Sequence, residues 1–162
     1  MPRVELLNDK QHDRAAFSCG ESTLDRYLRE QAAQHHRDGI AITHVLVAVS
    51  EPSQVLGYYT LSAAQLLLDE LQEDDRRRLP RYPVPAVRMG RLAVASAEQG
   101  KGYGGLLVGH AVARCLGLRK DLGVRVMVVD ALNDAAVAFY KAYGLRPTSD
   151  EARTLYLPLG KP

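Results

Sequence analysis

The chain has 162 residues, 46% of them hydrophobic and 25% charged, with 21 Lys+Arg against 19 Asp+Glu for a formal net charge of +2. That composition suits one soluble domain and excludes a disordered, collagen-like or disulfide-framed chain. Its 2 cysteines, Cys19 and Cys115, stand far apart in no paired spacing, so neither a redox pair nor a metal site is expected.

Residues 4–7 predict a short first strand. Ser22 and Thr23 are candidate N-caps for a helix with Leu24, Tyr27, Leu28 and Ala32 on one face, stopping at Gly39. Residues 40–49 are rich in β-branched side chains and predict a buried strand. Glu51-Pro52-Ser53-Gln54 then predict a turn, and residues 55–63 the returning strand of an antiparallel hairpin. A short helix is expected over 69–78, followed by an extended arm in which Pro80, Pro83 and Pro85 forbid regular structure. Next come a strand over 87–94, a glycine-dense loop over 99–105 and a helix over 106–118 with Leu107, Val108, Ala111, Val112 and Leu116 apolar. A strand over 124–129, a helix capped by Asn133 or Asp134 and stopped by Gly144, and a last strand over 154–159 complete the chain. Sheet and helix alternate without repeat or linker, which predicts a mixed α/β layer fold in a single domain, 1–162. No apolar run reaches the roughly 18–20 residues that span a bilayer. The first residues lack the apolar core of a signal peptide, so a cytoplasmic protein with no membrane partner is expected.

The sharpest local signal is Gln99-Gly100-Lys101-Gly102-Tyr103-Gly104-Gly105, between a strand and a helix. Glycines let successive backbone N–H groups converge, and the helix start adds partial positive charge, which together make an anion cradle. Packing alone also produces such turns, and both uses stay open on pattern. A Walker A loop is excluded by the missing Gly-Lys-Ser/Thr ending, and the glycine spacing is wrong for a dinucleotide fingerprint.

With those residues in place the sequence resembles the GNAT superfamily of N-acetyltransferases. Gln99-Gly100-Lys101-Gly102-Tyr103-Gly104 matches that family's Q/R-x-x-G-x-G/A pyrophosphate loop, and Gly90-Arg91-Leu92-Ala93-Val94 is similar to the strand beside the pantetheine arm. Asn133-Asp134-Ala135-Ala136-Val137-Ala138-Phe139-Tyr140 matches the N-x-x-A-x-x-F-Y helix, followed by Tyr143-Gly144-Leu145 where Gly-Phe is commoner. The resemblance implies a mostly antiparallel twisted sheet with a central splayed parallel pair and flanking helices. It implies acetyl-CoA as co-substrate, contacted by Leu92, Ala93, Val94, Gln99, Gly100, Lys101, Gly102, Tyr103, Gly104, Gly105, Asn133, Ala136 and Phe139. Phe17-Ser18-Cys19-Gly20, Leu24-Asp25-Arg26-Tyr27-Leu28, Gly57-Tyr58-Tyr59-Thr60-Leu61-Ser62 and Leu79-Pro80-Arg81-Tyr82-Pro83-Val84-Pro85 further resemble GNAT toxins of the TacT kind. That narrower likeness implies a type II toxin that acetylates the α-amino group of aminoacyl-tRNA. It also implies a ribbon-helix-helix antitoxin through which DNA is bound, and a homodimer.

Acetyl transfer from a thioester to an amine needs a neutral amine, an oxyanion stabiliser and a proton for the departing thiolate. The resemblance makes Tyr140 the general acid, and at a reference pKa near 10 a tyrosine is protonated at neutral pH. Pattern alone allows Phe139, Tyr140 and Tyr143 to be one apolar helix face. A backbone N–H near Leu92–Val94 is the expected oxyanion donor. No general base stands out among Glu98, His12, His35, His36, His44 and His110. An α-amine with pKa near 8 is neutral about once in ten at pH 7, so water suffices, whereas a lysine is neutral only about once in 2,000.

Residues 76–91 hold six arginines and no acid, directly after five acids in residues 69–75. Arginine's planar fork suits phosphate, so Arg77, Arg78, Arg81, Arg88 and Arg91 are candidate contacts to the tRNA acceptor stem. The alternative is a solvated helix end whose arginines pair with the upstream acids. Two other functions compete with the toxin: a GNAT enzyme for a small amine or protein N-terminus, and an acetyl-CoA-binding co-repressor working with a DNA-binding antitoxin.

Overall fold

The structure, a computed structural model, describes residues 2–77, 79 and 83–160. In chain order the elements are β1 (Pro2–Leu6), α1 (Ser22–Glu30), α2 (Ala32–Arg37), β2 (Ile42–Ala48), β3 (Glu51–Leu66), α3 (Glu73–Arg76), β4 (Val84–Val94), α4 (Tyr103–Leu118), β5 (Val126–Asp130), α5 (Asp134–Ala142), β6 (Arg146–Pro147) and β7 (Thr154–Pro158). The strands form one seven-stranded sheet ordered β1-β2-β3-β4-β5-β7-β6. Pairing is antiparallel for β1/β2, β2/β3, β5/β7 and β6/β7, and parallel for β4/β5. The mixed α/β expectation therefore holds, with its one parallel pair in mid-sheet. That pair runs from Ala86↔Val126 to Met89↔Val129, and β4 continues to Val94.

The chain divides into two compact units, Met1–Ser62 with Gly90–Ala111, and Ala63–Met89 with Val112–Pro162. In the first, Phe17, Tyr27, Leu28, Val45, Val47, Tyr58 and Ala93 form a core in which Phe17 meets Tyr58 edge-on at 5.6 Å. In the second, Leu66, Leu71, Val84, Ala86, Val126, Val128 and Tyr156 pack together.

Several boundaries differ from the sequence reading, each for a local reason. The first helix is capped by Glu21 without a side-chain bond, not by Ser22 or Thr23. It also breaks at Gln31, where Arg14 Nη1 donates to the carbonyls of Leu28 (3.4 Å) and Arg29 (3.3 Å) and so satisfies orphan acceptors of the helix end. The hairpin reverses at Val49-Ser50, because Ala48 pairs with Glu51. Pro52-Ser53-Gln54 become a bulge inside β3, Val47 pairing next with Val55, and the Ser53 carbonyl takes the Asp13 N–H at 2.8 Å. The helix expected over 69–78 splits into a 3-10 turn, Leu68–Glu70, and α3, since Leu71 is extended and buried between them. Pro85 lies inside β4, exposed and second from its start, a strand position that tolerates a missing N–H, and its carbonyl accepts from Arg125 N–H at 2.8 Å. Pro80 lies outside the described residues. The two-residue strand β6 has no counterpart in the sequence reading.

Candidate active site

In the first unit, β4 ends at Val94 and a 3-10 turn, Ser96–Glu98, leads into the glycine loop. Gly100 (φ +86°) and Gly102 (φ +83°) take the left-handed conformation that side chains disfavour, and a Cβ at either would meet nothing within 4 Å. Glycine is needed there for the backbone path and not for packing. The loop is shorter than the sequence suggests: α4 begins at Tyr103, so Gly104 and Gly105 form its first turn. Leu106 N–H donates to the Gly102 carbonyl at 3.1 Å, which closes the first helical turn. The N–H groups of Tyr103, Gly104 and Gly105 precede that bond and have no acceptor within the helix. No acidic residue sits in this first turn, so the positive end of a 16-residue helix dipole is uncancelled there. Lys101 Nζ is bound by Glu98 Oε2 at 2.6 Å, and that hydrogen bond holds the ammonium pKa above its usual value. The ammonium is thereby held in an ion pair at the loop's surface.

Leu92 and Val94 are half-buried and Ala93 is buried in the first core. The strand end is fixed by Ala95 N–H donating to the Leu56 carbonyl at 2.8 Å. Gly57 permits this approach of β3 and β4, since a Cβ there would stand 2.8 Å from the Ala93 carbonyl oxygen. Gln99 turns its side chain inward, Nε2 donating to the carbonyls of Val94 and Cys19, each at 3.1 Å.

In the second unit, Asn133 caps α5 by accepting the Ala136 N–H on Oδ1 at 2.9 Å, and Gly144 (φ +90°) ends it. Tyr140 lies on this helix with 6% of its surface exposed, and Phe139 packs edge-on against it at 5.3 Å. Burial, and secondarily the negative charge of Asp130, holds the Tyr140 phenol well above the ordinary tyrosine pKa. Among the described residues its hydroxyl has no hydrogen-bond partner. A neutral phenol with an uncommitted proton is what a general acid requires. Tyr143, three residues on, is 46% exposed and packs against Phe139 at 5.0 Å with the rings tilted by 55°.

The arginines divide by partner. Arg77 pairs with Asp74 at 3.7 Å on the exposed face of α3, as the solvated-helix alternative foresaw. Arg88 is ion-paired with Asp130, whose other oxygen accepts from Thr154 Oγ1 at 3.1 Å. Arg91 lays its guanidinium over the Tyr27 ring at 3.6 Å. Arg78 and Arg81 lie outside the described residues. His12, His35 and His36 bond to Glu5, Tyr27 and the Thr43 backbone within the fold, and no catalytic dyad forms from them. Cys19 and Cys115 are buried thiols pushed up to about 11 by desolvation, which removes their nucleophilic character. Sequence reasoning missed a buried group in the first unit, in which His44 stacks on Tyr59 at 4.7 Å and the Tyr59 hydroxyl meets His110 Nδ1 at 2.6 Å. Those residues lie far apart along the chain and share no motif. Among the described residues no group of three or more His, Cys, Asp or Glu could hold a metal ion, and no helix is long and apolar enough to cross a membrane.

The acetyltransferase (GNAT) family pattern matches residues 11–145. The chain belongs to the GNAT acetyltransferase family. The enzyme class is acetyl-CoA-dependent acetyltransferase. Among curated GNAT relatives, the chain is 37% identical over 128 residues to a tRNA-acetylating toxin of Mycobacterium tuberculosis, covering 79% of this chain and 75% of that one. It is 26% identical over 164 residues to a probable toxin TacT of Sinorhizobium fredii, covering 96% and 90%. Among solved GNAT structures it superimposes on AtaT complexed with acetyl-methionyl-tRNAfMet with a TM-score of 0.91 at 31% identity, over 98% of this chain and 95% of that one. A tyrosine-to-phenylalanine mutant of AtaT, bound to the C-terminus of the antitoxin AtaR and acetyl-CoA, matches with a TM-score of 0.83 at 30% identity over 98% and 93%.

Proposed function

We propose that this chain is the toxin of a type II toxin–antitoxin pair that transfers an acetyl group from acetyl-CoA to the α-amino group of an aminoacyl-tRNA and so blocks translation. The reading takes residues 1–162 as one catalytic domain acting in the cytoplasm. What carries it is likeness over 98% of the chain, N-terminal segment included, to a toxin solved with its acetylated tRNA product.

The chain's own residues fit acetyl-CoA: a glycine loop in the left-handed conformation, an uncancelled helix start, and a strand end whose backbone is fixed by Gln99. Acetyl-CoA supplies the activated acetyl thioester. The loop from Gln99 through Gly105 binds pyrophosphate with its backbone, and Leu92, Ala93 and Val94 offer main-chain groups to the pantetheine arm and the carbonyl oxygen. Asn133, Ala136 and Phe139 complete the cofactor contacts. Tyr140 Oη gives its proton to the departing sulfur as the amine nitrogen bonds to the acetyl carbon. The amine proton goes to water, because an α-amine beside an ester is neutral often enough to need no protein base.

Arg77, Arg78, Arg81, Arg88 and Arg91 serve the acceptor stem. Arg88 does so with Asp130 at its back and Arg91 with Tyr27 as a shelf, arrangements that fix the guanidinium planes at low entropic cost. A ribbon-helix-helix antitoxin, through which DNA is reached, and a second copy of the chain are the expected partners.

The decisive assay incubates the protein with labelled acetyl-CoA and a mixed aminoacyl-tRNA pool. Label is expected on aminoacyl ends, with kcat lowered about 10²–10⁴-fold in Tyr140→Phe and KM little changed. Label confined to small amines or protein N-termini would overturn the tRNA reading. A Tyr140→Phe protein as active as wild type would remove the acid.

A further inference from the structure

The N-terminal stretch around Phe17–Leu28 matches relatives without a chemical role attached to it, and the structure supplies one. The glycine loop has almost no packing of its own: Gly100 and Gly102 have no atom within 4 Å of where a Cβ would lie, and Gln99 and Gly100 are exposed. Its position is therefore set where the chain enters it and where α4 takes over, and the entrance is tied to two successive carbonyls of the N-terminal segment. The Ser18 carbonyl accepts Ser96 N–H at 2.8 Å, at the start of the loop's approach. The Cys19 carbonyl accepts Gln99 Nε2 at 3.1 Å, at the loop's entrance. The same Nε2 donates to the Val94 carbonyl, closing the bracket on the strand end. The Cys19 N–H in turn donates to Asp25 Oδ1 at 2.9 Å, so a carboxylate on α1 holds the peptide.

We infer that Gln99 is a positioning residue which, with Ser18, Cys19 and Asp25, braces the entrance of the glycine loop, so that α1 and the segment before it set the affinity for acetyl-CoA. The inference rests on the reading of that loop as the pyrophosphate site. A side-chain amide suits the task because its –NH₂ carries two donors, one for each carbonyl. The same geometry explains why Gln99 points inward, although a residue of the loop would be expected to face the phosphates.

The test has one arm without cofactor and one with it. Amide hydrogen exchange on the ligand-free protein is compared for wild type and Gln99→Met, which keeps the side chain's length and loses both donors. Exchange at residues 100–103 is expected to quicken in Gln99→Met. Calorimetric titration and steady-state kinetics should show Kd and KM for acetyl-CoA raised about tenfold, with kcat within about twofold, as for loss of two hydrogen bonds that act on ground-state binding. Gln99→Arg, whose guanidinium restores two N–H donors, should return both readouts towards wild type. Should Gln99→Met lose its fold, Asp25→Ala, at the other end of the brace, carries the same comparison. Wild-type exchange and affinity in Gln99→Met overturn the brace, as does failure of Gln99→Arg to restore them. Gly102→Ala separates the two readings: if it binds acetyl-CoA as wild type does, the loop reading falls, while the exchange arm still judges the brace.

Discussion

Asn133 has two uses open to it, and the structure fills one. Its Oδ1 accepts the Ala136 N–H in the extended conformation of a helix cap. Removing such a cap costs about 1 kcal/mol. Asn133→Ala is therefore expected to lower stability by about that amount in urea denaturation, which establishes the cap. A raised KM for acetyl-CoA in the same variant would assign it the cofactor contact as well; an unchanged KM would leave the cap as its whole role. Tyr140 differs from Asn133 in that its polar atom is committed to nothing among the described residues.

At the scale of elements, the end of β4 depends on close backbone approach. Gly57 of β3 admits the Ala93 carbonyl and Leu107 Cδ1 at 2.8 Å and 3.1 Å from where a Cβ would stand. Backbone on one side has little room to yield, so Gly57→Ala is expected to destabilise by about 1–3 kcal/mol. It should also raise the acetyl-CoA KM, because the displaced strand carries Leu92–Val94. A thermal melt together with a KM measurement checks both, and a variant as stable as wild type would refute the close approach. The bulge at Pro52–Gln54 works in the opposite sense. Turn-forming residues lie within a strand there, the Ser53 carbonyl takes the Asp13 N–H, and the reversal falls at Val49-Ser50.

Across the whole molecule, tyrosine burial gives a pH signature. Tyr27, Tyr58, Tyr140 and Tyr156 are all held above the ordinary tyrosine pKa, chiefly by desolvation, with Tyr156 pushed up to about 12. In the unfolded chain these phenols ionise near pH 10. Above that pH the unfolded state loses protons that the folded state keeps, so stability falls as pH rises through 10 towards the folded values. Below it the contribution is complete. Urea midpoints measured from pH 8 to 11 should be flat at first and then drop, with the tyrosinate absorbance of these four buried tyrosines appearing together with unfolding. Tyrosinate absorbance amounting to all 8 tyrosines near pH 10 in a still-folded protein would contradict the burial. The charge distribution is the other molecular-scale feature: a net +2 conceals six arginines in residues 76–91.

Legible in the sequence were the alternation of strand and helix, the glycine-dense loop, a helix cap at Asn133 or Asp134 and the placement of Tyr140 on that helix. All of these are set by interactions between residues within about four positions of one another, which local pattern records. Long-range packing, by contrast, sets Gln99 against Cys19 and Val94, Arg88 against Asp130, Arg91 over Tyr27 and Tyr59 against His110. Apart from the Gln99–Val94 bond, those partners are separated by 42 to 80 positions in chain order or by several elements. Any hydrogen-bonding or charged side chain could have met several others until the sheet order chose among them.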